Sequence, residues 1–259
     1  MFRLMWLFFR VGTMNELQYR VNFFIQLFES LVSLGIGLVG LALVFSHTPT
    51  LDGWSLPQLL AVLGVYTLMG GLIKATIQPN MQRLLDEIQQ GTLDYALTKP
   101  ADSQVIVSVR EVRIWETVDF LVGAVVLMIA VVQLHNSIGV LPALLFAGLL
   151  VLGGLMIYCF WLIITTGAFW LVRMDNVLEL FQGVYQAGRW PVNIYPEWLQ
   201  IGLTFLVPIA FAVTIPADAL TGRLTWQLVA GAAALTLGLL VFARWFWWFG
   251  LRHYSGASA

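Results

Sequence analysis

The sequence predicts an all-α, polytopic membrane protein, and three observations carry that prediction. Residues 120–172 pass without one Asp, Glu, Lys or Arg. A hydrocarbon core about 30 Å thick takes roughly 20 apolar residues per helical crossing, so this stretch is long enough for two spans joined by a turn at residues 135–139. Charged residues make up 10% of the chain against 59% hydrophobic, less than half the roughly 25% of charged residues in soluble domains. The apolar runs are also far longer than the roughly ten residues of a barrel strand and show no in/out alternation, so helices are indicated.

Taken in order, residues 1–21 read as an amphipathic helix lying in the membrane interface. Arg3, Arg10, Thr13, Glu16 and Arg20 fall within roughly 140° of arc at 100° per residue, with Trp6, Phe8, Phe9 and Tyr19 beside them. Arg10 interrupts any signal-peptide core, and no small-residue cleavage site follows. Strong apolar spans are expected at 22–45, 59–77, 117–134, 141–172 and 226–249. A further span lies within 176–220, where hydropathy alone favours 201–220.

Threading the chain with its N-terminus inside leaves Arg3, Arg10, Arg20, Lys74, Arg83, Lys99, Arg110, Arg113, Arg173, Arg244 and Arg252 on that side, so at least 11 of the 13 basic residues are cytoplasmic. That bias predicts a multi-pass protein with both termini cytoplasmic.

The loop 78–116 holds 10 of the 27 formal charges. Pro79 can start a helix continued by residues 81–90, and Gly91 suits the left-handed position after its end. Thr92 could cap a short helix through Leu97, which Pro100 prevents from continuing, and Asp102 could cap a third leading into the membrane. Arg113 and Glu116 are spaced as an i,i+3 pair. A compact helical elbow with this much charge belongs in water, touching a partner.

Several functions are disfavoured. The lone Cys159 permits no intrachain disulfide and no multi-thiolate metal site. His47, His135 and His253 cannot be placed at one depth, so no metal centre and no catalytic triad is expected. Neither Lys74 nor Lys99 follows a glycine-rich loop, so the chain has no P-loop and is not read as an enzyme. The Arg-Trp-Phe-Trp-Trp-Phe cluster at 244–249 is an interface anchor rather than a nucleic-acid patch.

Ionisable groups in lipid are costly and usually face a cavity or a partner. Glu29 and Gln26 in the first span, with Glu179 and Gln182 in the fifth, are therefore candidates for a translocation path, while Lys74 and Asp119 can pair near the inner ends of their spans. Gly35, Gly37, Gly40, Gly70, Gly71, Gly153 and Gly154 allow close helix contact.

Residues 87–100 (Glu-Ile-Gln-Gln-Gly-Thr-Leu-Asp-Tyr-Ala-Leu-Thr-Lys-Pro) resemble the first cytoplasmic loop of ABC-2 type permeases, the membrane subunits of ATP-driven exporters. Residues 191–199, with Pro-x4-Pro-x-Trp-Leu, resemble the outer element before the last span of that superfamily; residues 208–220 and 252–258 complete the likeness. It covers essentially the whole chain, as one branch of about 260 residues.

The resemblance implies an inner-membrane location and six transmembrane helices, with the fifth crossing at 176–188 and a re-entrant outer segment near 191–222. It implies a coupling element formed by Gly91, Thr92, Leu93, Asp94, Tyr95, Leu97, Lys99 and Pro100 that seats in a groove of an ABC-type ATPase. It further implies a second permease copy or related permease, ATP and Mg bound by the ATPase rather than by this chain, and export of a small amphipathic molecule of the drug or toxic organic cation class. Two rival readings, a secondary transporter and a non-catalytic membrane scaffold, are open on the residues alone.

Overall fold

The computed structural model describes residues 20–134, 139–171 and 177–254. The expected interface helix at 1–21 falls almost wholly outside these residues, as does most of the turn around 135–139. Eleven α-helices are described. They are α1 (Arg20–Phe45), α2 (Leu56–Leu72), α3 (Gln78–Gln89), α4 (Asp94–Leu97), α5 (Ser103–Ser108), α6 (Thr117–Gln133), α7 (Val140–Thr166), α8 (Val177–Tyr185), α9 (Glu197–Ile201), α10 (Ile215–Thr221) and α11 (Trp226–Leu251).

Four helical stretches are long and apolar enough to cross a bilayer: Val21–Phe45, Leu56–Gln89, Val140–Phe169 and Trp226–Leu251. The apolar α6 is shorter, and Glu197–Leu206 with Ala210–Thr221 forms a pair bent by 78°.

The start of α2 is set by local chemistry. The Gln58 side chain accepts a hydrogen bond from the Ser55 N–H at 3.0 Å, and Pro57 occupies the first turn, where its missing donor costs nothing. The second span does not stop at 77 and restart at Pro79, as the sequence suggested. It runs on as one 34-residue rod to Gln89, because Pro79 stands beside a π-helical turn, Ile73–Ile77, that already departs from the α ladder.

The rod is the centre of the molecule. Helix α6 packs along α2 with almost no space between the backbones. A Cβ on Gly123 would collide with the Leu68 backbone, one on Gly71 with the Phe120 backbone, and one on Gly64 would sit 2.8 Å from the Leu127 nitrogen. Around this seam Leu59, Val62, Val65, Met69 and Ile73 are buried in a core shared with α7, the 209–220 segment and α11.

The bent pair breaks at Pro208, whereas Pro216 does not divide it. Pro216 lies in the first turn of α10, directly after the π-helical segment Ala210–Thr214, so its ring interrupts no α ladder. That π segment lies against α7, where the backbone of Phe211 and Ala212 crowds Gly153.

One end of the bundle is closed by a polar cap. Buried Trp54 donates its indole N–H to Asn193 Oδ1 at 3.2 Å, Asn193 donates to Asp52 at 2.8 Å, and the Arg223 guanidinium lies 4.2 Å above the Trp54 ring. Asp52 and Gly53 take positive φ to make that turn. The opposite end carries the elbow.

Candidate functional site

The elbow begins where α3 ends. Gly91 has φ +68°, Gly91 N–H donates to Ile88 O at 3.3 Å and Thr92 N–H to Glu87 O at 2.9 Å. These two bonds satisfy the last carbonyls of the rod, and the left-handed residue between them favours glycine, as anticipated. The turn delivers Leu93 into the core, fully buried beside Ala96, and leaves Tyr95 80% exposed with Asp94, Thr98, Lys99 and Pro100. Of the residues expected to form a coupling element, Leu93 is buried and Tyr95 is the most exposed large side chain. Thr92 does not cap α4, which starts after Leu93.

Asp102 does cap α5, accepting from the Val105 N–H at 3.2 Å. That helix ends at Ser108 and does not lead into the membrane; residues 109–116 form an irregular strap instead. The Asn80 side chain holds the strap at both ends of one peptide, donating to Glu111 O and accepting from Glu111 N–H at 2.9 Å. Arg113 N–H donates to Ala75 O at 2.9 Å, inside the π turn. The Arg113 side chain pairs with Glu111 at 3.5 Å rather than with Glu116.

Two ion-pair clusters fasten the elbow to the bundle. Arg110 grips Glu87 through two bonds of 2.8 and 2.7 Å, with Arg83 joining at 3.1 Å. Arg244 of α11 grips Asp102 through both guanidinium nitrogens and also donates to Gln104 at 2.9 Å. Gln104 and Ser108 then meet the Tyr158 hydroxyl of α7 at 3.2 and 2.8 Å. Hydrogen bonding from Arg244 holds the Asp102 carboxyl below its ordinary range. Helices α5, α7 and α11 thus meet at one polar knot, and the end of the rod is held to the strap by the Arg110–Glu87 pair.

Above the elbow lies a cavity of about 400 Å³ between α1, the rod, the start of α6 and α8. Gln26, Glu29 and Gln182, three of the four residues expected on a translocation path, line it. Glu179 does not; it is exposed outside the lining. Lys74 and Asp119 form the expected pair at 2.9 Å, placed on the cavity wall by the π turn.

The cavity also contains residues that the sequence reading did not place there: Tyr66, Tyr185, Arg113, Glu116 and Arg189. Tyr185 stacks on Tyr66 with ring centroids 4.9 Å apart and donates to the Tyr66 carbonyl at 2.9 Å. Arg189 donates to Ser33 Oγ at 3.0 Å and lies 5.5 Å from the Tyr66 ring centroid.

A legible signal for this site existed. Gln26, Glu29, Ser30 and Ser33 fall at i, i+3, i+4 and i+7, and Gln182, Tyr185, Gln186 and Arg189 repeat that spacing. The first set puts a polar stripe on one face of α1, and the second runs from α8 into the 3-10 turn Gln186–Arg189 that follows it. From Gln78 to Tyr66 the cavity extends about 18 Å along the rod at 1.5 Å per residue, and it lies on the elbow side of Trp190 and Val192.

A family model described as ABC-2 family transporter protein matches residues 31–258. The chain belongs to the ABC-2 transporter family. It is a multi-pass membrane protein and the membrane permease component of an ABC transporter. Among curated proteins and among solved structures, none matches the chain.

Proposed function

We propose that this permease exports a small amphipathic molecule carrying a cationic group across the inner membrane, driven by ATP hydrolysed with Mg on a separate ABC-type ATPase. Six crossings with both termini cytoplasmic put the elbow in the cytoplasm. The pair Glu197–Leu206 and Ala210–Thr221 then folds back as a re-entrant outer segment beneath the Trp54–Asn193 cap. Broken backbone at that depth is acceptable because α2 and α7 cover it. A second permease copy, or a related one, completes the pathway.

The observation that carries this reading is the polar cavity on the elbow side of the closed cap. Glu29, Gln26 and Gln182 face it from α1 and α8, and another of its walls is the rod, which runs on to the elbow. ATPase closure would press on α4 at Asp94, Tyr95, Lys99 and Pro100. The rod and the Asp102–Arg244 knot would carry that displacement to the cavity walls. A shift of the two bundles follows only if nucleotide favours one arrangement over the other.

The test is replacement of Tyr95 by Glu, which changes an exposed side chain and leaves buried Leu93 in place. The variant should reach the membrane at normal abundance yet lose at least tenfold in ATP-dependent export and in ATPase co-purification. Export that persists at full rate with Tyr95→Glu, or that stops when the proton or sodium gradient is collapsed while ATP is kept, would reject the reading.

A further inference from the structure

We propose that the cavity recognises the head of an amphiphile bearing an anionic and a cationic group together, a zwitterion rather than a simple cation. The inference rests on the reading of this cavity as the cargo site and goes beyond it in naming the charge pattern. Six acidic or basic side chains face the space: Glu29, Glu116, Asp119, Lys74, Arg113 and Arg189. Lys74 and Asp119 neutralise each other at 2.9 Å, and Arg113 is held by Glu111. Among the described residues, Glu29, Glu116 and Arg189 have no ion-pair partner within 4.0 Å.

These three are separated along the cavity. Glu116 stands near the elbow end. Ser33, the residue that holds Arg189, lies one turn beyond Glu29 on α1, about 6 Å deeper. The carboxylates without an ion-pair partner, Glu29 and Glu116, thus lie toward the elbow, where Lys74 and Arg113 also stand but are paired. The unpaired cation Arg189 lies at the deep end. Glu116 Oε2 and Arg189 Nε are buried without a hydrogen-bond partner in the described structure, and buried charged groups left unsatisfied are costly. One ligand with an ammonium toward Glu29 and Glu116 and a phosphate, sulfonate or carboxylate toward Arg189 would satisfy both ends at once.

A tail has a place to go. A second recess of about 250 Å³ shares Glu29, Ser33 and Arg189 with the cavity and is otherwise lined by Phe28, Val32 and Ile36, apolar residues on the outer face of α1. The polar space thus opens sideways onto an apolar strip beside the same three residues, which suits a head inside and a chain outside.

The test measures binding to the full chain in dodecyl maltoside micelles by isothermal titration, corrected for transfer into empty micelles. Three probes share one tail: dodecylphosphocholine, dodecyltrimethylammonium and dodecyl phosphate. The zwitterion should bind at least tenfold more tightly than either singly charged probe. Arg189→Gln should bring the zwitterion to the affinity of the cation, Arg189→Lys should keep it within about threefold, and Glu29→Gln should weaken the zwitterion and the cation but spare the anion.

Phosphocholine without a tail distinguishes the source. Binding close to that of the tailed probe assigns a soluble zwitterion; loss of binding assigns a lipid-derived one, and the charge pattern stands in either case. Equal affinity for cation and zwitterion, or indifference to Arg189→Gln, overturns the proposal. Should Arg189→Gln fail to fold, the ratio of the three affinities on the unmodified chain decides alone. A cation preference would leave the exporter reading intact, whereas failure of Tyr95→Glu to uncouple export would leave the binding result untouched.

Discussion

Helix α1 and the rod Leu56–Gln89 have similar apolar sequences, with mean hydropathies of 2.1 and 1.7, yet they have opposite fates. Only 11% of the apolar window of α1 is buried, against 61% for the rod. Hydropathy measures transfer out of water and does not distinguish lipid from protein as the destination. The distinction lies in where small residues fall. Gly64 and Gly71 sit seven apart on one face of the rod and meet the α6 backbone, whereas Gly35 of α1 has nothing within 4 Å. The rod was made to be packed against. Helix α1 is a wall, with a polar stripe toward the cavity and Phe24, Phe28, Leu31 and Val39 facing outward.

The largest effect that can break this comparison is overpacking of the seam. Gly123→Leu should cost about 3 kcal/mol or more, or abolish folding, because its side chain would displace the Leu68 backbone. Gly35→Leu should change stability by less than about 0.5 kcal/mol. Thermal unfolding of the two variants in detergent measures both, and a tolerated Gly123→Leu would mean that the α2–α6 contact is not as close as described.

A smaller contrast separates the charges of the two elements. Lys74→Met strands Asp119, whose side chain is only 10% exposed, and should cost roughly 3 kcal/mol. Glu29→Gln, on exposed α1, should stay within about 0.5 kcal/mol while altering transport. Equal destabilisation by both would show that α1 is as tightly built in as the rod.

The smallest effect lies in acid. Because Arg244 holds the Asp102 carboxyl below its usual 3.8, the contribution of this pair is complete above that value. It is lost only as pH falls through the lower folded-state value. Amide exchange in α5 should accelerate there, and Asp102→Asn, which can still cap the helix, should abolish that acid response while leaving exchange in α1 unchanged.

By itself, the sequence determined the solvent, the helical class, the family and the ends of the long helices. Each of these is written in local composition. Three of the four long apolar helices, and the shorter α6, matched their expected boundaries to within a few residues; the rod did not. Gly91 and Asp102 were legible because a left-handed turn and a helix cap are short-range requirements met by particular side chains. The Lys74–Asp119 pair was legible because charges near the ends of adjacent spans need each other.

Tertiary structure alone decided which exposed face of the elbow is offered, since Leu93 and Tyr95 differ only in what the turn at Gly91 points them toward. It also decided the membership of the cavity. Arg189 and Glu116 entered it and Glu179 did not, because a polar residue on a helix faces inward or outward according to the rotation of that helix against its neighbours. Sequence spacing fixes which residues share a face. Only packing chooses where that face looks.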